Sequence, residues 1–244
     1  LLLWVEKEFG HPPGDTDSIL TVADLLRAAC GETLASAPAA VTPPPPAWFH
    51  SAPGRAELPE GETLAEVFLK QAARDPARLI TADAAAGARS YRDLITAIFL
   101  LRDRIARLEG DAVGIMLPAS VGADVLYLAT IFSGKTPVQV NWTVGIRNVR
   151  HALDLAGVRR ILTADLLVKR LAAQGIEFGD LAERFVRMEE MRREFGLAEK
   201  LAAALKARLG WSALRRARVS PVAAVLFTSG SESLPKAVPL THAN

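Results

Sequence analysis

The stretch Val225-Leu226-Phe227-Thr228-Ser229-Gly230-Ser231-Glu232-Ser233-Leu234-Pro235-Lys236-Ala237-Val238-Pro239-Leu240-Thr241-His242 leaves an apolar segment for a loop of hydroxyls with one glycine, closes on Pro-Lys, and turns apolar again. Thr228, Ser229, Gly230 and Ser231 are small and consecutive, so their backbone N–H groups and hydroxyls share one concavity, and such a concavity suits phosphate oxygens. Lys236 adds positive charge at its edge. The pattern is not a Walker A loop, which needs Gly-Lys followed by Ser or Thr, where this chain has Pro235-Lys236-Ala237. Glu232 is awkward beside phosphate. It either pairs with Lys236 four residues on or faces a metal ion, and the residues leave both open.

Upstream, the chain alternates between helical and strand patterns. Glu62 or Thr63 starts a helix that runs through Arg74 and ends at Asp75-Pro76. Arg78 to Ala82 reads as a short strand, with a turn through Ala84 to Gly87. Ser90 caps a long helix from Tyr91 to Leu108. Ala112 to Leu117 is a continuous apolar run, as in a strand covered on both faces, and Pro118 ends it. Ser120 starts the helix Val121 to Phe132, Gly134-Lys135 turns, and Thr136 to Val140 is a further strand. A helix (Arg147 to Gly157), a strand (Arg160 to Thr163) and a helix (Leu166 to Ala173) follow. Phe185 to Met188 reads as a strand, and Glu189 to Arg208 as helix. Strands separated by helices of this length pair in parallel through right-handed crossovers. The expected class is α/β, a mainly parallel sheet flanked by helices. The loop then lies at the end of a strand, where ligand sites of such folds belong.

The loop resembles the Thr-Ser-Gly-Ser/Thr-Thr-Gly-x-Pro-Lys-Gly phosphate loop of the adenylate-forming, AMP-binding enzymes: acyl-CoA synthetases, acyl–carrier-protein synthetases, luciferases and peptide-synthetase adenylation domains. The likeness runs from Leu64 to His242. Glu232, the tail Leu240-Thr241-His242 and the segment Gly134-Lys135-Thr136-Pro137-Val138-Gln139-Val140-Asn141-Trp142 are most similar to the acyl–carrier-protein synthetase branch. The resemblance implies ATP and Mg²⁺, with Thr228, Ser229, Gly230, Ser231, Glu232 and Lys236 as the phosphate-binding set. It also implies a two-step reaction, in which a fatty acid becomes an acyl-adenylate and then passes to the phosphopantetheine thiol of an acyl carrier protein or to CoA. His242 stands where the family has a histidine near the adenylate, and the pair Thr241-His242 reads equally as a helix cap. Asn141 and Trp142 read as a turn residue and a core aromatic in preference to substrate contacts. Ser233 and Ala237 occupy places where the general pattern has glycine, and a side chain there limits positive φ and backbone approach.

No catalytic set is complete in these residues, because the family's later acidic metal ligand, ribose-binding Asp, hinge and C-terminal Lys have no counterpart here. The chain begins at Leu1 without Met and stops at Asn244, and it reads as an internal piece of a longer protein. Residues 1–30 resemble the back half of an acyl carrier protein, with a helix ending Glu6-Lys7-Glu8-Phe9-Gly10 and a second helix capped by Thr21 and opening Val22-Ala23-Asp24-Leu25-Leu26. The phosphopantetheine-bearing serine of that family would precede Leu1, and Ser18 does not take its place. Residues 31–57 form a Pro/Ala-rich linker, extended over Pro43 to Pro46, with Trp48-Phe49-His50 as a docking point onto the next domain. Residues 58–244 form the N-terminal part of the adenylate-forming domain.

Composition narrows the partners. A net charge of +2 gives no bulk attraction to nucleic acid. The single cysteine, Cys30, excludes an internal disulfide framework, fits a reducing cytoplasm, and reads as a small buried or linker residue. No run approaches the ~18 apolar residues of a membrane span. The four histidines, His11, His50, His151 and His242, are too scattered to form a metal site by spacing. Arg215, Arg216 and Arg218 read either as part of a solvated face or as a patch for an acidic carrier protein or anionic lipid, the latter a peripheral membrane contact of the intact protein. Two other functions stay open beside the fatty-acid ligase: a degenerate, non-catalytic module that docks a carrier protein, and an amino-acid adenylation domain.

Overall fold

A computed structural model describes residues 7–10, 19, 21–32, 59–228 and 234–244. The chain divides into two compact units, Leu1–Glu57 and Leu58–Asn244. In the first, α1 (Val22–Ala29) starts at a capping box: the Asp24 N–H donates to Thr21 Oγ1 at 3.2 Å, and the Thr21 N–H donates back to Asp24 Oδ2 at 2.9 Å. Cys30 follows α1 and is exposed, not buried. Ser18, the proline run and Trp48-Phe49-His50 lie outside the described residues.

The second unit opens with α2 (Leu64–Arg74), capped by Thr63, and the hairpin of β1 (Leu79–Asp83) and β2 (Gly87–Ser90). After it come α3 (Tyr91–Ala106), β3 (Ala112–Met116), α4 (Val121–Phe132) and β4 (Thr136–Gln139). Next are α5 (Ile146–Leu155), β5 (Arg160–Thr163), α6 (Asp165–Ala173) and β6 (Phe185–Arg187). The last elements are α7 (Met188–Glu194), α8 (Leu197–Leu209), α9 (Ser212–Arg215), β7 (Val222–Phe227) and β8 (Ala237–Thr241). Six strands form one sheet in the order β6-β5-β3-β4-β7-β8, parallel throughout except for the antiparallel pair β7–β8.

Three features differ from the sequence reading. β1 pairs antiparallel with β2 and stays out of the main sheet. Only a tight turn joins the two, too short for a crossover, and the Asp83 carboxylate closes it by accepting from the Ala85 and Ala86 N–H groups. β8 is likewise antiparallel, because only the nine residues 228–236 separate it from β7, too few for a crossover. The expected helix Glu189 to Arg208 is broken at Phe195-Gly196. Phe195 is buried, and the Glu199 carboxylate restarts the helix by accepting the Gly196 N–H at 2.8 Å.

Two apolar layers sandwich the sheet. One holds Ile95, Ile98 and Leu126 from α3 and α4, with Val113, Ile115 and Leu162 from the sheet. The other holds Val149 and Leu153 of α5 and Leu171 of α6, with Met116, Val138, Ile161 and Val225. Neighbouring residues of β3 and β5 go to opposite layers, as the two-residue strand period requires. The chain therefore leaves β3 for a helix on one face and leaves β4 for a helix on the other. Between β3 and β4 the winding reverses, and the carboxyl ends of the strands open there.

On the second face, Arg150 of α5 makes a two-pronged ion pair with Asp180, one arm at 2.6 Å. The Arg150 guanidinium holds the Asp180 carboxyl down at about 2 from the ordinary 3.8. A lowered folded-state value means that the carboxylate stabilises the fold above the unfolded value and loses that effect as pH falls through the folded one. Asp180→Asn is therefore expected to be less stable than the parent at neutral pH, by a small margin because the pair is solvent-exposed. The two proteins should converge between about pH 4 and pH 2. Chemical denaturation of both across that range measures it, and a gap as wide at pH 2 as at neutral pH would count against the assignment.

Candidate phosphate-binding site

The loop at 228–236 is held at its neck. Phe227 at the end of β7 pairs with Ala237 at the start of β8. One step further out, the Thr228 N–H donates to the Lys236 carbonyl at 3.1 Å, and the Lys236 N–H donates to Thr228 Oγ1 at 3.3 Å. The Thr228 hydroxyl thus accepts from the neck and keeps its own proton for an acceptor in the loop's mouth. Thr228 and Lys236 are both exposed. Among the described residues no carboxylate lies within ion-pair distance of the Lys236 ammonium. Ser229, Gly230, Ser231, Glu232 and Ser233 lie outside the described residues, so the two alternatives for Glu232 stand as the sequence left them.

Below the mouth, Pro235 is buried and plugs a small apolar cleft of about 60 Å³ with Phe227 and Thr228 on one side. Val140, Asn141 and Val144, just past β4, face them. Asn141 caps the 3₁₀ turn Trp142–Val144, its Oδ1 accepting from the Thr143 N–H at 3.0 Å, and Trp142 packs partly buried on the second-face core. The cleft joins the carboxyl ends of β4 and β7. Sequence spacing gave no hint that Asn141 and Thr228 share it, because 86 positions separate them and only strand order brings them together. A larger cleft, about 640 Å³, lies between α2 and α9, lined by Thr63, Lys70 and Arg215. It is on the His242 side of the sheet and shares no lining residue with the cleft at Thr228.

Ala237 sits in β8, paired with Phe227, and no described non-glycine residue has positive φ. An extended backbone accepts alanine freely, so the backbone objection to Ala237 does not hold.

His242 lies elsewhere. Thr241 pairs with Val222, so His242 stands at the opposite end of β7 from Thr228, about 20 Å away along the strand. Its Nδ1 accepts from the Leu64 N–H at 3.2 Å, and its Nε2 lies 2.8 Å from the Ser220 carbonyl. The two contacts together require the tautomer with hydrogen on Nε2. The ring therefore caps the first turn of α2 and ties it to the start of β7. Of the two readings of Thr241-His242, the geometry carries capping, but of a helix 178 residues earlier. His242→Ala is expected to lower stability by about 1–3 kcal/mol, since Leu64 and Ser220 lose their partner, and to leave ATP affinity of the intact protein unchanged. Urea denaturation and nucleotide titration of the same variant separate these effects. Weakened ATP binding at unchanged stability would return His242 to the nucleotide site.

Thr228 and Lys236 thus stand at the carboxyl end of a parallel strand, beside the reversal of an α/β sheet, where ligand sites of such folds belong. The chain belongs to the family of AMP-binding enzymes, whose model matches residues 68–244. Solved structures share the fold. VinN in complex with 3-methylaspartate is 19% identical with a TM-score of 0.56, over 76% of this chain and 49% of that one. The NpsA N-terminal subdomain from Klebsiella oxytoca is 20% identical with a TM-score of 0.55, over 74% of this chain and 42% of that one. O-succinylbenzoate coenzyme A synthetase (MenE) from Bacillus subtilis, in complex with AMP, is 14% identical with a TM-score of 0.52, over 71% and 41%. The chain spans half or less of the length of each of these three.

Proposed function

We propose that this domain is the nucleotide-holding part of an ATP-dependent acid–thiol ligase that activates a fatty acid. The carboxylate oxygen of the acid attacks the α-phosphorus of ATP, a new P–O bond forms, and the bond to the β-phosphate oxygen breaks to release pyrophosphate. A thiolate then attacks the acyl carbon and AMP leaves. Charge builds on the phosphate oxygens in the first step, so donors fixed around them before reaction are what accelerates it. The observation that carries this reading is the neck, in which the Lys236 backbone bonds the Thr228 N–H and hydroxyl oxygen. The Lys236 ammonium and the Thr228 proton are left for phosphate. Among the described residues no three His, Cys, Asp or Glu side chains gather to hold a metal. A Mg²⁺ that enters with ATP is bound mainly by phosphate oxygens and water.

The fatty acid as substrate, and a carrier-protein phosphopantetheine as acceptor, rest on the Gly134–Trp142 segment and on Glu232. The carrier-like likeness of residues 1–30 is part of the same reading. A second reading, activation of an amino acid, is favoured by the fold's likeness to VinN, solved with L-aspartate as well as 3-methylaspartate. ATP–pyrophosphate exchange by the full-length protein with a panel of fatty and amino acids decides. Exchange driven by long-chain acids supports the proposal, exchange driven by amino acids alone replaces it with the second reading, and no exchange with any acid points to a docking module.

A further inference from the structure

Helix α8 is turned the opposite way from an ordinary surface helix. Its buried residues are alanines, Ala203 and Ala207, packed on α3. Its leucines face outward: Leu197 is 74% exposed, Leu201 63%, Leu205 57% and Leu209 78%. At 3.6 residues per turn a strict four-residue spacing advances about 40° each step, so the four leucines spread over about 120° of the helix. A coiled-coil partner needs a narrow seam with a 3.5-residue repeat, whereas a face this broad suits a plane.

Positive charge is concentrated in this part of the chain. Residues 187–218 carry nine Lys and Arg against four Asp and Glu, a net +5 in a chain whose total is +2. Two of the four acids, Glu194 and Glu199, are paired with Arg104 of α3. Among the described residues Arg192, Arg193, Lys200, Lys206 and Arg208 have no ion-pair partner. Beside the stripe, a cleft of about 360 Å³ is lined by Arg89, Arg92 and Arg208, with Ala204 of α8 at its edge. The one acid there, Asp93, is engaged by Ser90 in the cap of α3 and also feels the charges of Arg89 and Arg92. The Arg92 Nε is buried and has no hydrogen-bond partner among the described residues, and a buried donor of that kind calls for an acceptor.

We infer that this face binds the surface of an anionic phospholipid membrane. The four leucines of α8 enter the interface, and a lipid phosphate sits among Arg89, Arg92 and Arg208. Leucine burial and attraction to anionic headgroups act together in such contacts. None of these residues belongs to the hairpin site, so the inference stands independently of the ligase reading.

Co-sedimentation of the 244-residue chain with phosphatidylcholine vesicles, with and without phosphatidylglycerol, tests it. Binding should require phosphatidylglycerol and weaken as salt rises. L201E/L205E, at positions that are solvent-exposed and so leave the core untouched, should lose about tenfold or more in affinity. R89Q/R92Q/R208Q should also weaken binding and flatten its salt dependence. Circular dichroism melts confirm that both variants fold. Equal binding to neutral vesicles, or a leucine variant that binds like the parent, overturns the inference. So does a dimer, seen by light scattering, that L201E/L205E dissociates while neither protein binds vesicles, since the face would then be a contact between copies.

Discussion

Lys236→Ala should cut acid-dependent ATP–pyrophosphate exchange of the intact protein by about 100- to 1000-fold, the usual consequence of removing one fixed donor from developing negative charge. Its unfolding midpoint should not move. The two expectations follow from a division of labour within one residue. All of the structural work of Lys236 is done by its backbone, through the N–H to Thr228 Oγ1 and the carbonyl from the Thr228 N–H. Alanine keeps both. The side chain is exposed and, among the described residues, has no ion-pair partner. What the variant loses is a positive charge at the mouth of the loop. Lys236→Arg keeps the charge but replaces a compact ammonium with a planar fork of different reach, so it should recover only part of the rate. Full exchange in Lys236→Ala would falsify the role given to this lysine. A lowered midpoint would show that the side chain supports the neck.

Local signals placed most elements correctly. Thr21, Thr63, Ser90 and Ser120 each accept the backbone N–H three residues on, as N-caps do, and each was readable as a cap from residue type and position alone. The apolar run of β3 announced a strand covered on both faces. What escaped were features fixed by distant partners. β2 is four residues, Gly-Ala-Arg-Ser, mostly exposed and without alternation, and only its pairing with β1 makes it a strand. The ring of His242 meets Leu64 and Ser220, neither of which is a sequence neighbour. Composition alone makes Glu189 to Arg208 one helix, because no local signal outweighs its helix formers, and the buried ring of Phe195 breaks it instead. The usual pattern of a surface helix puts leucines such as those of α8 on the core face. The structure gives that place to Ala203 and Ala207, because alanines let α8 lie close against α3. The hydroxyls and the lysine of the loop were legible in the sequence. The loop's position at the carboxyl end of β7 was legible once strands and helices were seen to alternate. The cleft that Asn141 shares with it was not, since strand order is not written in either segment.

The largest expected loss of stability comes from Gly114, in the strand under this site. Gly114 is not at positive φ, so backbone freedom is not the reason for glycine here. Space is. A Cβ at this position would stand 3.1 Å from Val140 Cγ2 and 3.2 Å from both Ile161 Cγ1 and Val158 Cγ1. All three side chains belong to the second-face core, and all are buried. Val and Ile are stiff at χ1 and cannot swing away. Gly114→Ala should therefore cost about 1–3 kcal/mol as an overpacked core site. Gly114→Val adds two further methyls against the same rigid neighbours and should exceed that range. Against a total stability of about 5–15 kcal/mol it should leave much of the protein unfolded at physiological temperature. The collision predicts its own remedy. Val140→Ala removes the nearest methyl, so in the double variant Gly114→Ala/Val140→Ala the new Cβ occupies room that Val140→Ala alone leaves empty. Guanidinium unfolding of the two single variants and the double should show a favourable coupling of about 0.5–3 kcal/mol. Strict additivity would mean that the cost at Gly114 arises from something other than contact with Val140. The coupling reaches the site as well, because Val140 lines the cleft beneath Thr228. A side chain at Gly114 that displaces Val140 should weaken nucleotide binding by the intact protein, and the double variant should recover it.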